Sequence, residues 1–263
     1  MYMIEFMQNE IVRSLLPLII INALALLSFI VFVFIYPKRP KDPEIIARMH
    51  ETFIGLIFRE YWYWVNQPLI NFFIYFKIKP NTITAISLIL AFVSAYFYYI
   101  GNFGLAGWIL IVSATLDIVD GRVARKTNTV TKSGAYWDSC VDRYSEGAVF
   151  LGIAMYYQNN FIALLATIIA LIGSELVSYT KARGEAIGIT TNRGIMQRGE
   201  RLAVLCVISV LHPLFQVLFK NSSVNPEIVM IGAMILMAVT TNLTATTRMR
   251  IIFREIKKTE NNG

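Results

Sequence analysis

The sequence predicts an all-α integral membrane protein. Of its 263 residues, 56% are hydrophobic and only 16% are charged, and the mean hydropathy is +0.56. A soluble domain typically has about 25% charged residues, so this composition excludes an intrinsically disordered chain and does not fit a soluble enzyme. The apolar residues form long uncharged runs rather than alternating segments of about ten residues. Such runs are typical of spanning helices and not of a transmembrane β-barrel.

Seven spanning helices are predicted from the uncharged runs. A spanning helix needs about 20 mostly apolar residues. The run from Ser14 to Pro37 has 24 residues, whereas the run from Pro80 to Leu116 has 37 and is divided at residues 101–104. The predicted helices cover residues 12–37, 81–100, 104–124, 134–157, 161–184, 200–219 and 227–250. The first helix has no cleavage site and too long an apolar run for a signal peptide, so we expect a retained anchor.

A segment of mixed character separates the first two predicted spans. Asp42 is a suitable helix cap and Pro43 suits the first helical position. From there to Phe76 the chain mixes Ile, Phe, Trp and Tyr with charged residues, which is typical of a helix at the cytoplasmic interface, interrupted near Pro68. Such a helix could serve as an anchor alone or take part in lipid entry. The predicted organisation is an anchor (1–41), an interfacial helix (42–79), a six-helix domain (80–252) and a cytoplasmic tail (253–263).

The distribution of Lys and Arg predicts the orientation. If residues 38–80 face the cytoplasm, only Arg13 and Lys220 lie outside, and the other 22 of the 24 basic residues lie on the cytoplasmic side. The opposite orientation reverses this ratio. We therefore expect a multi-pass protein of the cell membrane with its amino terminus outside and its carboxyl terminus in the cytoplasm. The net charge of +7 then reflects topology and contact with membrane lipids rather than binding of nucleic acid.

Four of the five Asp residues of the chain lie within 26 residues: Asp117, Asp120, Asp138 and Asp142. Ionisable groups at membrane depth are costly and are therefore functional candidates. The first two are three residues apart and the last two are four apart, so each pair shares one face of a helix. A short loop makes the two helices antiparallel neighbours. Four converging carboxylates need cations to stay ionised, and an all-oxygen ligand set selects Mg²⁺ or Mn²⁺.

An acidic cluster with two divalent ions suits phosphoryl transfer, because the ions neutralise a diphosphate and hold both the attacking and the leaving oxygen. Gly121 and Gly134 leave space for a substrate beside the backbone, and Arg125 supplies charge for a phosphate. A divalent cation transporter is an alternative from another class, but its acidic site would lie near the bilayer midplane. Here all four Asp residues lie toward the cytoplasmic side, which favours a phosphate site facing the cytoplasm.

The stretch from Asp117 to Asp142 reads DIVDGRVARKTNTVTKSGAYWDSCVD. It resembles the signature of the CDP-alcohol phosphotransferases, D-x2-D-G-x2-A-R-x8-G-x3-D-x3-D, and all eight fixed positions are filled at the family's spacing. The resemblance covers about residues 78–252 and implies a six-helix core, so helix 12–37 is an addition to it. It also implies the reaction: a hydroxyl attacks the β-phosphate of a CDP-linked lipid, and CMP leaves. A homodimer is a further implication.

The resemblance implies roles for individual residues. It assigns Asp117, Asp120 and Asp138 to two divalent ions and the diphosphate, and Asp142 to the general base and the second ion. Besides Asp117 and Asp120, the residues that it places at the CDP-linked lipid are Asn81, Thr84, Gly121, Ala124, Arg125 and Gly134. Without the resemblance, Asn81 is simply a helix cap.

A second motif concerns the acceptor alcohol. The stretch from Ser174 to Arg201 resembles the subgroup of this family that transfers to inositol phosphate, as does LTATTRM at residues 243–249. The residues that this resemblance assigns to the acceptor phosphate are Ser178, Lys181, Arg201 and Arg248. Basic residues at cytoplasmic helix ends are also expected from topology alone. Glycerol 3-phosphate, serine and inositol remain alternative acceptors, and the lipid can carry diacylglycerol or archaeol tails.

Overall fold

The computed structural model describes residues 19–21, 23–38, 56–191, 193–220, 222 and 225–261. In these ranges the chain is almost entirely helical and contains no strand, so the predicted all-α class is confirmed. The apolar segment Ile19–Lys38 forms α1. It is followed by α2 (Leu56–Val65), α3 (Gln67–Tyr75), α4 (Pro80–Tyr99), α5 (Phe103–Lys126), α6 (Lys132–Tyr156), α7 (Phe161–Ala186), α8 (Arg198–Leu218) and α9 (Ile228–Asn261).

Within the described ranges, six helices are long and apolar enough to cross a membrane, namely α1, α4, α5, α7, α8 and α9. The 25-residue helix α6 packs with them but is more polar, because it carries Asp138 and Asp142. The predicted boundaries of the six core spans agree with the helices to within a few residues, except that α9 continues past residue 250 to Asn261. The predicted start at residue 12 and the Asp42–Pro43 cap lie outside the described residues.

Polar caps begin three successive long helices. The side chains of Asn102, Thr131 and Asn160 accept hydrogen bonds from the backbone N–H three residues further on, at 3.2, 3.0 and 3.1 Å. Each cap satisfies a donor that the first turn of a helix leaves without a partner. The predicted breaks near residues 101–104 and 158–160 are therefore confirmed as short connections between helices.

The described part of the predicted interfacial segment, from residue 56 onward, forms two short helices. Its break falls at Asn66, between α2 and α3, and Pro68 lies in the first turn of α3, where its missing N–H costs nothing. This confirms the interruption expected near Pro68. In chain order, both helices therefore come between α1 and the helical core.

The two motif helices, α5 and α6, share α4 as a packing partner. Both α5 and α6 pack closely against α4, but they make few or no close backbone contacts with each other. A Cβ atom at Gly152 of α6 would lie 2.3 Å from the Ala95 oxygen, so only glycine permits this approach of α6 to α4. The short loop predicted α5 and α6 as antiparallel neighbours, and only residues 127–131 separate the two helices along the chain. The acidic side chains face each other across a gap between the helices.

A polar cluster lies at the end of the bundle away from the acidic residues. Glu227, just before α9, accepts hydrogen bonds from Tyr157 at 2.6 Å and Tyr156 at 3.3 Å, and its Oε1 lies 3.3 Å from His212 Nε2. Burial raises the pKa of Glu227, but the contacts with His212 and Tyr157 outweigh burial and hold the pKa below its usual value. The carboxylate therefore links the ends of α6, α8 and α9.

We expect Glu227→Ala to lower the free energy of unfolding by about 1–3 kcal/mol, because it removes the acceptor of two buried or half-buried hydroxyl groups. Thermal unfolding of the purified protein in detergent measures this loss. Glu255→Ala is the matched control, because Glu255 forms an exposed pair with Lys258 at 2.7 Å and should change stability by less than about 0.5 kcal/mol. Equal melting temperatures for the two variants would contradict the role of the cluster.

Candidate active site

Three of the predicted acidic residues converge between α5 and α6. Carboxylate oxygens of Asp117, Asp120 and Asp138 all lie within 4.8 Å of one another. Asp120 is buried, whereas the other two are half-buried. Three carboxylates at this separation repel each other, and their oxygen-only donor set fits a hard divalent cation. The arrangement is therefore suited to binding a divalent metal ion.

Asp142 lies beside this cluster and is paired with an arginine. Its Oδ1 lies 2.6 Å from Nη2 of Arg198, while Nη1 of the same guanidinium donates to Asp117 Oδ2 at 2.8 Å. Arg198 is the first residue of α8, so the packing of α8 against α5 brings this charge to the acidic residues. The guanidinium thus joins Asp142 to the three-carboxylate cluster through Asp117.

The residues predicted to bind the CDP-linked lipid lie around the same cluster. Thr84 donates a hydrogen bond to Asp120 Oδ2. A Cβ atom at Gly134 would lie 3.4 Å from Asn81 Oδ1, so the starts of α4 and α6 lie side by side. The helix α4 is capped at Lys79, so the interpretation of Asn81 as a helix cap is wrong.

Gly121, Ala124 and Arg125 follow Asp120 along the last turns of α5. A Cβ atom at Gly121 would meet Arg125 Nη1 at 3.2 Å, which shows that the arginine side chain folds back over the glycine. Ala124 is half-buried and Arg125 is exposed. A small residue, a glycine and an exposed cation therefore lie together at the last two turns of α5.

A buried ion pair lies one turn beyond Asp142. The fully buried Arg201 contacts Glu146 through Nε at 2.5 Å and Nη2 at 2.9 Å, and its Nη1 donates to the Met196 carbonyl oxygen at 3.0 Å. All three nitrogens of the Arg201 guanidinium therefore contact other groups of the protein. Its predicted contact with an acceptor phosphate stays a prediction and requires that some of these contacts be exchanged.

The other predicted acceptor residues differ in exposure. Arg248 is buried and donates to the Val177 oxygen at 2.8 Å and the Arg193 oxygen at 2.9 Å. The Lys181 side chain is 43% exposed and lies 3.9 Å from Glu185. Ser178 is half-buried on the same helix, α7. Ser178 and Lys181 are thus accessible to a solute. Arg248 instead joins α9 to α7 and to the loop between α7 and α8.

Sequence reasoning undervalued two arginines in this region. Arg143 of α6 donates to Ser178 and lies 3.9 Å from Asp142 and 3.5 Å from Glu146, so it links the acidic residues to α7. Its position directly after Asp142 was the only signal in the sequence. The sequence gives no signal for the contact of Arg198 with Asp117, because 81 residues separate the two along the chain.

Comparison with known proteins identifies the family. Residues 77–244 match the family model described as CDP-alcohol phosphatidyltransferase. An archaetidylinositol phosphate synthase from Pyrococcus horikoshii is 38% identical over 136 residues, which cover 51% of this chain and 71% of the relative. A phosphatidylinositol phosphate synthase from Streptomyces avermitilis is 32% identical over 196 residues, which cover 73% and 79%.

Solved structures give the same result. The phosphatidylinositol phosphate synthase of Mycobacterium tuberculosis with CDP-DAG bound has 25% identity and a TM-score of 0.63, over 72% of this chain and 94% of that one. The same enzyme in complex with manganese and citrate has 25% identity and a TM-score of 0.63, over 71% and 88%. None of these matches supports the alternative of a cation transporter. The chain belongs to the CDP-alcohol phosphatidyltransferase family and is a multi-pass membrane phosphotransferase.

Proposed function

We propose that this protein transfers the phosphatidyl-type group of a CDP-linked lipid to a hydroxyl of inositol phosphate and releases CMP. The observation that carries the proposal is the convergence of Asp117, Asp120 and Asp138 beside the Asp142–Arg198 pair. The relatives from Pyrococcus horikoshii and Streptomyces avermitilis are both synthases of inositol phosphate lipids, which supports this acceptor. Their names differ in the lipid, so both diacylglycerol and archaeol tails remain open for this chain.

The three clustered carboxylates are the proposed ligands of Mg²⁺ or Mn²⁺, with two ions in all and Asp142 as a ligand of the second. Their oxygen-only donor set and mutual distance below 4.8 Å support this proposal. So does the manganese complex of the Mycobacterium tuberculosis enzyme. When bound, such ions neutralise a diphosphate and stabilise charge on the attacking and leaving oxygens.

Asp142 is the proposed general base. The acceptor oxygen forms a bond to the β-phosphorus, its proton passes to the Asp142 carboxylate, and the bond from phosphorus to the CMP oxygen breaks with its electron pair. Arg198 holds Asp142 at 2.6 Å, which orients the carboxylate toward the gap between the helices. The nucleotide lies, in this proposal, against Asn81, Thr84 and Gly134 on one side. On the other side it contacts Gly121, Ala124 and Arg125.

The acceptor phosphate is proposed to bind between the middle of α6 and the last turns of α7. Ser178 and Lys181 provide a hydroxyl and an exposed ammonium, and Arg143 lies in contact with Ser178. Arg201 and Arg248 complete the proposed pocket if they exchange present contacts for the phosphate. The distribution of basic residues supports a cytoplasmic site and an outer amino terminus in the cell membrane. A homodimer is also proposed from the family.

A panel of acceptors tests the proposed function. The purified protein is incubated with CDP-diacylglycerol or CDP-archaeol, Mg²⁺ and one alcohol at a time, and the lipid product is identified by its mass. We expect CMP and a new lipid with inositol phosphate, and little product with glycerol 3-phosphate, serine or inositol. Rapid use of another alcohol would overturn the acceptor. Flux of Mn²⁺ into proteoliposomes without any release of CMP would favour a transporter instead.

We expect Lys181→Ala to raise the KM for inositol phosphate about tenfold and to leave the KM for the CDP-linked lipid unchanged, because the variant removes one charge-assisted contact. Lys258→Ala is the matched control, since the Lys258 side chain is 68% exposed on the last turns of α9. Steady-state kinetics in mixed micelles measures both constants. An unchanged KM for inositol phosphate would remove Lys181 from the acceptor site.

A further inference from the structure

The short helix α3 packs against an apolar face of the motif helix α5. Ile70 and Phe73 of α3 form a buried cluster with Leu116, Val119 and Val123 of α5. Leu116, Val119 and Val123 are interspersed along the chain with the site residues of α5. They occupy another face of the helix, as its 3.6-residue period requires. The last turns of α5 therefore lie between the substrate site and α3.

Two polar contacts join α2 and α3 to the end of α5. The Arg122 guanidinium carbon lies 3.6 Å from the centre of the Tyr63 ring, and Arg122 is only 9% exposed. Lys126 Nζ donates to Gln67 Oε1 at 2.8 Å, and Gln67 is itself held by Asn71 at 2.7 Å. Arg122 follows Gly121 directly in the chain, so its position determines where the backbone of the nucleotide site lies.

The helix α2 is in turn packed against α1. The Tyr61 hydroxyl lies 2.5 Å from Ser28 Oγ and donates to the Ala25 oxygen at 3.0 Å. Phe32 is fully buried, with ring centres 5.6 Å from those of both Tyr61 and Trp64. All of these residues precede residue 77, where the match to the family model begins. A continuous series of contacts therefore connects an N-terminal addition to the motif helix.

We propose that α2 and α3 form a brace that sets the position of the last two turns of α5, with Tyr63 as its positioning residue. Tyr63 acts through Arg122 on Gly121, Ala124 and Arg125, and so on the nucleotide of the CDP-linked lipid. This assignment to the nucleotide rests on the proposed function. A cation stacked on a ring and shielded from water is held in place, and small displacements of binding groups are costly. The acceptor residues Ser178 and Lys181 lie on α7, away from the brace.

The test compares Tyr63→Leu with Tyr63→Phe and with Tyr75→Leu. Phenylalanine keeps the ring face, whereas Tyr75 is the last residue of α3, is 80% exposed and provides the same substitution away from Arg122. We expect Tyr63→Leu to raise the KM for the CDP-linked lipid about fivefold, in keeping with the strength of a shielded cation–π contact. The KM for the acceptor should stay within about twofold, and the other two variants should match the wild type. A role in folding alone would lower the active fraction and leave both constants unchanged, which would overturn the proposal.

Binding of CDP in the presence of Mg²⁺, measured by calorimetry, separates this proposal from the proposed function. A wild type that binds CDP but releases no CMP would refute the function, while weaker CDP binding by Tyr63→Leu would still support the brace. Equal CDP affinities would overturn the brace, and absence of CDP binding by the wild type would overturn both. If Tyr63→Leu does not fold, Gln67→Ala replaces it, since it removes the contact of α3 with Lys126 together with an exposed hydrogen bond to Asn71. It should weaken CDP binding about twofold, and an unchanged affinity would overturn the brace.

Discussion

Asp142→Asn should lower the rate of CMP release by about 10³-fold or more while binding of the CDP-linked lipid persists. An amide cannot take the proton of the acceptor hydroxyl, and general base catalysis contributes on the order of 10²–10⁴ in rate. The variant keeps the size of the side chain, and Arg198 retains its contact with Asp117 at 2.8 Å, so the site should stay assembled. Single-turnover release of CMP and equilibrium binding of the lipid measure the two effects separately.

Asp138→Asn is the matched comparison for Asp142→Asn. Asp138 belongs to the three-carboxylate cluster, whereas Asp142 is paired with Arg198. We therefore expect Asp138→Asn to weaken binding of Mn²⁺ far more than Asp142→Asn does, as measured by the loss of the free-ion paramagnetic resonance signal. If Asp142→Asn lost binding of metal and lipid to the same extent as it lost rate, Asp142 would be chiefly a metal ligand and not the base.

Glu146→Ala should destabilise the protein by about 3–5 kcal/mol, because it leaves the Arg201 charge buried without its partner. The two side chains are 2% and 0% exposed, and two contacts of 2.5 and 2.9 Å join them. Replacement of both residues, by Glu146→Leu with Arg201→Met, should cost much less, because apolar side chains of similar volume need no partner. Unfolding in detergent measures both variants. Equal destabilisation by the single and the double replacement would contradict the view that an uncompensated charge is the cause.

The double variant also tests the acceptor prediction for Arg201. If Arg201 exchanges its contacts to bind the acceptor phosphate, the folded double variant should show a raised KM for inositol phosphate and an unchanged KM for the CDP-linked lipid. If both constants match those of the wild type, the role of Arg201 is confined to its contact with Glu146.

Regular features of the sequence predicted most of the fold. Charge-free runs revealed the spans because a bilayer excludes charged residues, and polar residues such as Asn102 and Asn160 marked their connections. The spacing of the Asp residues predicted the shared faces of Asp117 with Asp120, and the structure brings both to Asp138. Packing between distant segments was not encoded in any local pattern. The packing of α4 against both α5 and α6, for example, depends on an approach at Gly152 that spacing does not reveal.

Buried cations were the least predictable part of the site. Lys and Arg near helix ends look alike in sequence, whether they face water as Lys181 does or a carboxylate as Arg201 does. The resemblance selected Arg201 and Arg248 for the acceptor, yet the structure shows both in contacts with the protein. It shows instead that Arg143 and Arg198 lie against the acidic residues. A cation's partner is determined by tertiary packing, which a single sequence does not display.

The most direct test of the central claim is anomalous diffraction from crystals grown with Mn²⁺ and the CDP-linked lipid. The proposed function predicts manganese peaks about 2 Å from carboxylate oxygens of Asp117, Asp120 and Asp138, each in contact with the diphosphate of the lipid. Lipid bound with its diphosphate away from these carboxylates, or manganese bound elsewhere in the protein, would contradict it.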